Sequence, residues 1–251
     1  MRRYLPAAIV FASAIAAWEG FVAVFHIPFY LLPAPRVIVQ TFLSNMPVLV
    51  EIGLYTFREA LAGFALGCGA GVLAAMLASR SPGAAAVILP YAVASSSVPI
   101  IALAPLAIVW FGIAQGSKIA VVTMMTFFPT FISTLRGLLS VSPQSLELMR
   151  SYAAGEWQLF TRLRLPASLP YMFNAFKVST NLAMIGAVVS EYFGGPQKSL
   201  GVYIISNNAI FKTREAWSAI LVACALGLGF YFTVVIVERL VMPWHVSTRE
   251  G

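Results

Sequence analysis

The sequence predicts an all-α polytopic membrane protein with about six transmembrane helices in a single domain, residues 1–251. Three observations carry that expectation. The chain is 60% hydrophobic and 10% charged, with a mean hydropathy of +0.86. Soluble domains run at about 45–50% apolar and about 25% charged. Its apolar residues fall in continuous runs of about 20 rather than in alternation, which suits spanning helices and excludes a transmembrane β-barrel. The net charge of +7 comes from Lys and Arg placed mostly in the short segments between runs. There they report topology, and no nucleic-acid partner is expected.

The runs cover roughly 7–25, 52–79, 84–110, 117–138, 168–192 and 217–240. With the N-terminus inside, the inner side holds Arg2, Arg3, Arg80, Arg136, Arg150, Arg162, Arg164, Arg239 and Arg249. The outer side holds Arg36, Arg58, Lys118, Lys198, Lys212 and Arg214, and Lys177 falls inside the fifth run. Nine against six orients both termini to the cytoplasm. The first run is longer than a 7–15-residue signal core and lacks a small-residue cleavage site, so it reads as a retained span. Cys68 and Cys224 are expected as packed thiols, and His26 and His245 form no ligand cluster, so no metal site is expected.

Between the first two runs, Pro33 and Pro35 force an extended path, followed by a short interfacial helix from Arg36 to Leu43. Gly63, Gly67 and Gly71 recur every fourth residue and open one helix face to close packing. The third run is too long for one straight crossing and is interrupted by Pro90, Pro99 and Pro105. At Ser95-Ser96-Ser97-Val98-Pro99 two readings stay open. One is a broken helix lining a watery path; the other is a proline kink whose serines bond back to their own helix. The stripe Met124, Met125, Phe127 and Phe128 is either packed core or an apolar constriction. Glu19 sits mid-span, Lys177 is placed to snorkel to the inner surface, and Glu191 closes the fifth run. No acid–Lys–acid relay is evident from spacing. The segment from Gln197 to Trp217 is amphipathic, with Val202, Ile205, Ala209 and Ile210 expected to face inward over the outer mouth.

The stretch Ser142–Pro170 is the polar exception. Pro143 suits the first turn of a helix, along which Leu146, Met149, Tyr152 and Ala153 share one face, with Glu147 and Arg150 on the other. A second helical piece is expected from Trp157 to Arg164, ended by Pro166. The pair forms an L on the membrane surface.

This stretch resembles the coupling loop of membrane permeases of ATP-binding-cassette (ABC) importers. The family pattern is Glu-Ala-Ala, three residues, Gly, nine residues, Ile, any residue, Leu-Pro. Here it becomes Glu147-Leu148-Met149, three residues, Ala153, nine residues, Leu163, Arg164, Leu165-Pro166. Two alanines are replaced by Leu148 and Met149, and the glycine by Ala153. Because Ala suits a continuous helix better than Gly, the bend is expected at Gly155. Trp18-Glu19, Leu32-Pro33-Ala34-Pro35, Trp110-Phe111-Gly112-Ile113, Glu191-Tyr192-Phe193-Gly194-Gly195 and Leu240-Val241-Met242-Pro243-Trp244 are similar to taurine, sulfonate, nitrate, riboflavin and thiamine-precursor permeases, so the likeness spans nearly the whole chain.

The resemblance implies a non-catalytic subunit of the bacterial inner membrane. It implies a second copy as a homodimer, an external solute-binding protein, surrounding lipid, and a separate ATPase dimer that binds ATP and Mg. The chain itself has no G-x-x-x-x-G-K-[ST] phosphate loop and is expected to bind no cofactor. Leu146, Glu147, Met149, Arg150, Ala153, Gly155, Leu163, Leu165 and Pro166 are the coupling candidates. Closure of the ATPases would draw two such loops together and tilt the spans from inward-open to outward-open. Ser95, Ser96, Ser97, Pro99, Met125, Phe127, Phe128, Asn181 and Glu191 are the pathway candidates. Aromatic residues near the path and the lack of a mid-span Arg favour a flat organic solute, a pyrimidine precursor or a flavin, over a sulfonate, taurine or nitrate. The alternative is an ion-coupled secondary transporter, which inverted repeats and midplane acids would favour; neither stands out in the sequence.

Overall fold

The computed structural model describes residues 5–244. Arg2, Arg3, Arg249 and His245 lie outside the described residues. Within them the chain is helical throughout: α1 (Leu5–Val24), α2 (Pro35–Ser44), α3 (Met46–Ala78), α4 (Pro82–Ser96), α5 (Ala104–Phe111), α6 (Gln115–Leu139), α7 (Pro143–Ser151), α8 (Glu156–Leu159), α9 (Leu165–Tyr192), α10 (Leu200–Ala209) and α11 (Thr213–Val241).

Four helices are long and apolar enough to cross a membrane: α3, α6, the continuous helix Glu156–Tyr192, and α11. The third expected run is a bent helix pair, with Ala85–Ser96 and Ile100–Phe111 meeting at 72°, and it makes a fifth span where the pair is counted as one. The break falls at Ser97–Pro99, where the missing proline N–H interrupts the helix ladder. Pro90 sits inside α4 and Pro105 in the first turn of α5, so neither breaks a helix. The sixth, α1, is 20 residues long. That is about 30 Å, the hydrocarbon thickness with no margin for tilt. It lies outside the bundle, tied on by a Trp18–Trp217 ring contact at 5.2 Å and by the Glu19–Arg36 ion pair at 3.0 Å.

The core is formed where α3, α6, α9 and α11 meet, around Ala60, Val122, Ala183, Ala187, Phe173 and Phe230. Small residues let the backbones approach. A Cβ on Gly63 would lie 2.5 Å from Val122, one on Gly67 would strike Thr126 and the Thr123 carbonyl, and one on Gly71 would lie 2.9 Å from the Phe127 carbonyl. The expected glycine face of α3 is therefore the seam with α6. On α6, Thr126, Thr130 and Thr134 repeat at the same spacing and are fully buried. Thr130 lies 3.3 Å from both Ser179 and Cys68, joining α3, α6 and α9 by polar contacts where no water competes. Cys68 is packed as expected; Cys224 is exposed instead, and both thiols are free.

The interfacial helix after Pro35 forms as α2 and buries Ile38. In α10 the inward residues are Leu200, Gly201 and Ile204, not the expected set. Ile205, Ala209 and Ile210 are exposed and Val202 is half-buried. The amphipathic signal is shallow here because both faces of α10 are largely apolar.

Candidate functional site

Three groupings carry the chemistry. The first is the stretch after α6. Ser142 caps α7, its Oγ accepting the Ser145 N–H at 3.2 Å, and Pro143 occupies the first turn. No residue of α7 is buried. Leu146 and Met149 are half-buried, whereas Glu147, Leu148, Arg150 and Tyr152 are exposed. Arg150 reaches forward to Glu156 at 3.6 Å. The bend differs from expectation. Ala153 takes φ +55°, in the register of the family's glycine, while Gly155 is extended at φ −72°. Ala153 therefore holds a left-handed backbone that glycine tolerates best.

The second arm also differs. Leu159 is 1% exposed, and Phe160 packs against the cluster of Phe131, Leu135 and Leu138. A π turn, Phe160–Arg164, contains Leu163 and leads through Leu165 and Pro166 into α9 without a stop. Pro166 does not end this helix, because widening the turn before it accommodates the absent N–H. The L is therefore one free arm, α7, and one arm that is the root of a spanning helix.

The second grouping surrounds the break in the third crossing. Ser96, Pro99, Met125 and Phe128 line one cavity of about 260 Å³, together with Val98, Ile100, Ile101, Pro129 and Leu182. None of these residues is charged. Ser96 Oγ donates to the Val93 carbonyl at 2.6 Å, so the hydroxyl bonds back to its own helix even as it faces the cavity. The back-bonding reading of the serines thus holds for Ser96, which also stands on the cavity wall. The remaining candidates lie elsewhere. Ser95 and Phe127 line a separate groove of about 650 Å³ beside Ile88 and Tyr91, and Asn181 lines one of about 660 Å³ between α9 and α11. Ser97 is exposed at the break.

Glu191 is on no cavity wall among those described above. It is fully buried and belongs to a third grouping that sequence spacing concealed. Its carboxylate accepts the Thr56 hydroxyl at 2.8 Å and the Gly201 N–H at 2.6 Å. Thr56 in turn accepts the Leu200 N–H at 2.9 Å. Glu59 lies against Glu191, and beyond that neighbour neither of its oxygens has a hydrogen-bond partner. Lys118, an expected surface cation, is fully buried nearby and donates to the Ile113 carbonyl at 2.6 Å and to Ser117 at 3.1 Å. An acid–Lys–acid cluster therefore does exist, assembled from α3, α6 and α9 and sealed by α10. Lys177, expected to snorkel, instead pairs with Glu238 of α11 at 2.9 Å.

Comparison with known proteins follows the same lines. Residues 67–244 match the family described as "Binding-protein-dependent transport system inner membrane component". The formylaminopyrimidine transport permease protein ThiX of Halalkalibacterium halodurans is 30% identical over 96% of each chain. The riboflavin transport system permease protein RibX of Chloroflexus aurantiacus is 28% identical over 92% of this chain and 86% of its own. The putative aliphatic sulfonates transport permease protein SsuC of Bacillus subtilis is 29% identical over 98% of this chain and 88% of its own. Among solved structures, a chain of the MetNI methionine ABC transporter superposes with a TM-score of 0.56 at 19% identity, covering 84% of this chain and 98% of that one. The fold, the spans and the family pattern agree: this chain belongs to the binding-protein-dependent transport inner membrane component family and is a permease subunit of an ABC importer.

Proposed function

We propose that the chain works as a homodimer in the bacterial inner membrane, with both termini in the cytoplasm. A separate ATPase dimer carrying ATP and Mg docks on α7, and an external solute-binding protein delivers the cargo. One observation supports the docking above all. α7 is a capped helix left standing outside the bundle with apolar side chains uncovered on it and just after it: Leu148 is 58% exposed, Tyr152, which follows its last turn, 77%, and Trp157 74%. A short helix of this kind fits a groove on a partner. These three residues, rather than the half-buried Leu146 and Met149, are the anchors. The arm after Ala153 is continuous with α9, so a push on α7 is delivered to a spanning helix as rigid-body motion.

The cargo is a flat organic solute of the pyrimidine-precursor or flavin type. The cavity at the broken crossing supports this: it offers the Phe128 ring, the Met125 thioether and the Ser96 hydroxyl, and no cation. Burying a sulfonate there would leave its charge uncompensated. Relatives named for formylaminopyrimidine and riboflavin agree with this reading; the one named for sulfonates marks the competitor. The Glu59–Lys118–Glu191 cluster is the observation that favours an ion-coupled carrier instead. Its carboxylate at Glu191 is already satisfied by bonds that hold α10 in place, which suits a structural role.

Two measurements test the proposal. The ATPase should co-purify with the wild-type chain, and Leu148→Arg should release it; uptake that continues without any ATPase overturns the ABC reading. Thermal-shift screening of the partner binding protein should select a ring-bearing solute, and selection of small inorganic anions or sulfonates alone overturns the cargo.

A further inference from the structure

One face of α3 is open along its length. Between Arg58 and Arg80 that face exposes only apolar or small residues, with Leu61, Leu66, Leu73 and Leu77 between 44% and 63% exposed. The two arginines stand 22 positions apart. That is about 33 Å of helix, close to the thickness of the hydrocarbon core. Arg58 therefore lies at the level where lipid phosphates begin. The 12 residues of α3 before it, from Met46, rise a further ~18 Å towards water at the end of the bundle that carries α10.

Arg58 opens into a small pocket of about 160 Å³ lined also by Glu51, Leu54, Tyr55 and Lys198. Lys198 pairs with Glu51 at 3.2 Å. Arg58 has no ion-pair or hydrogen-bond partner among the described residues. The pocket thus holds two cations against one carboxylate, with one guanidinium unused. The side chains of Glu59, on the buried side of α3, and of Glu191 on α9 are not in its wall.

We propose that this pocket binds the phosphodiester headgroup of an anionic phospholipid. The Arg58 fork matches two phosphate oxygens. Lys198 has donors left after its contact with Glu51, and Tyr55 stands where aromatic hydroxyls meet headgroups. Leu54 and Leu61 lie on the same helix face, one turn to either side of Arg58. Leu61 and the leucines beyond it are placed to run beside the acyl chain of a lipid held at Arg58. A free phosphate ion would leave that apolar track unused, which is why the lipid is the assigned source.

The test uses the full chain extracted in mild detergent and exchanged into nanodiscs of defined composition, with bound lipid read by native mass spectrometry. Phosphatidylglycerol should be retained over phosphatidylcholine by the wild type. Arg58→Gln and Lys198→Gln should each lower that retention about fivefold. Arg214→Gln removes a cation at the same end that sits over the Phe29 ring, and it should leave retention unchanged. Equal retention of the two lipids by the wild type overturns the proposal without reference to any variant. Displacement of the signal by millimolar inorganic phosphate would assign the pocket to a soluble anion and overturn the lipid. An Arg58→Gln protein that melts with the wild type in phosphatidylcholine yet retains phosphatidylglycerol fully also overturns it.

Discussion

Glu191 and Gly201 are joined by a 2.6 Å hydrogen bond from the Gly201 N–H to the Glu191 carboxylate, across the break between α9 and α10. The bond lands on the first turn of α10, where helix N–H groups have no internal partner and favour a negative charge. A side chain on Gly201 would strike the Val188 carbonyl and come within 2.6 Å of the Glu191 Cβ. The glycine and the acid are therefore one device that seats α10 on the bundle. Glu191→Ala orphans the buried Gly201 N–H and leaves the Thr56 hydroxyl only the Ile52 carbonyl at 3.3 Å, and should cost about 1–3 kcal/mol. Gly201→Ala forces α10 away and should cost about 1–3 kcal/mol. Limited proteolysis between residues 197 and 212 reads both. Unchanged cleavage in both variants would remove the seating role.

At the seam between α3 and α6, Gly67 has no room for a methyl group. Gly67→Ala should destabilise the chain by about 1–3 kcal/mol despite its better helix propensity. Gly69, on the open face, has no atom within 4 Å of its would-be Cβ, so Gly69→Ala should be neutral or slightly stabilising. Thermal unfolding of the two variants side by side separates packing from propensity.

Ala153 holds a left-handed backbone at φ +55° in the turn after α7. Ala153→Gly should stabilise that turn by about 1 kcal/mol, and Ala153→Val should weaken it by more. Hydrogen exchange of the Tyr152–Gln158 amides is the readout. Faster exchange in the glycine variant than in wild type would contradict the strain argument.

Lys177 and Glu238 pair at 2.9 Å with side chains 22% and 9% exposed, linking α9 to α11. Removing one partner leaves the other charge poorly solvated. Glu238→Ala should cost about 3 kcal/mol, and the double change Lys177→Met with Glu238→Leu should recover most of it. Thermal unfolding of both variants checks this; a double variant no better than the single one would show that the pair contributes more than mutual neutralisation.

Much of the scaffold is legible in the residues because its signals are local. The four-residue glycine repeat of α3 marks a packing face wherever α3 ends up. Ser142-Pro143 starts a helix through its own backbone chemistry. Pro99 stands at the break of the third run, though Pro90, Pro129 and Pro170 sit inside helices that continue. Pro166 shows the limit of that reasoning. It has the same chemistry as Pro99, yet the π turn before it and the Leu159 and Phe160 contacts with the bundle carry the helix through. Ala153 shows it too: propensity favours continuing helix, and the turn geometry forces a left-handed residue there. For α10 the inward face differs from the expected one because a membrane protein is apolar on both sides, which flattens the periodic contrast a soluble helix shows.

The sequence by itself determined the class, the spans near their observed places, an interruption of the third run and the start of α7, since each depends on residues within a turn or two of one another. The tertiary structure alone decided that Glu59, Lys118 and Glu191 meet, that Lys177 finds Glu238, and that Ser96, Pro99, Met125 and Phe128 share a cavity while Asn181 does not. Glu59 and Lys118 stand 59 positions apart and Lys177 and Glu238 stand 61 apart, and hydrophobic periodicity has no term for which helix a face will meet. Helix packing chooses the neighbour, and burial in a low-dielectric bundle then obliges each charge to be answered by whatever that neighbour presents.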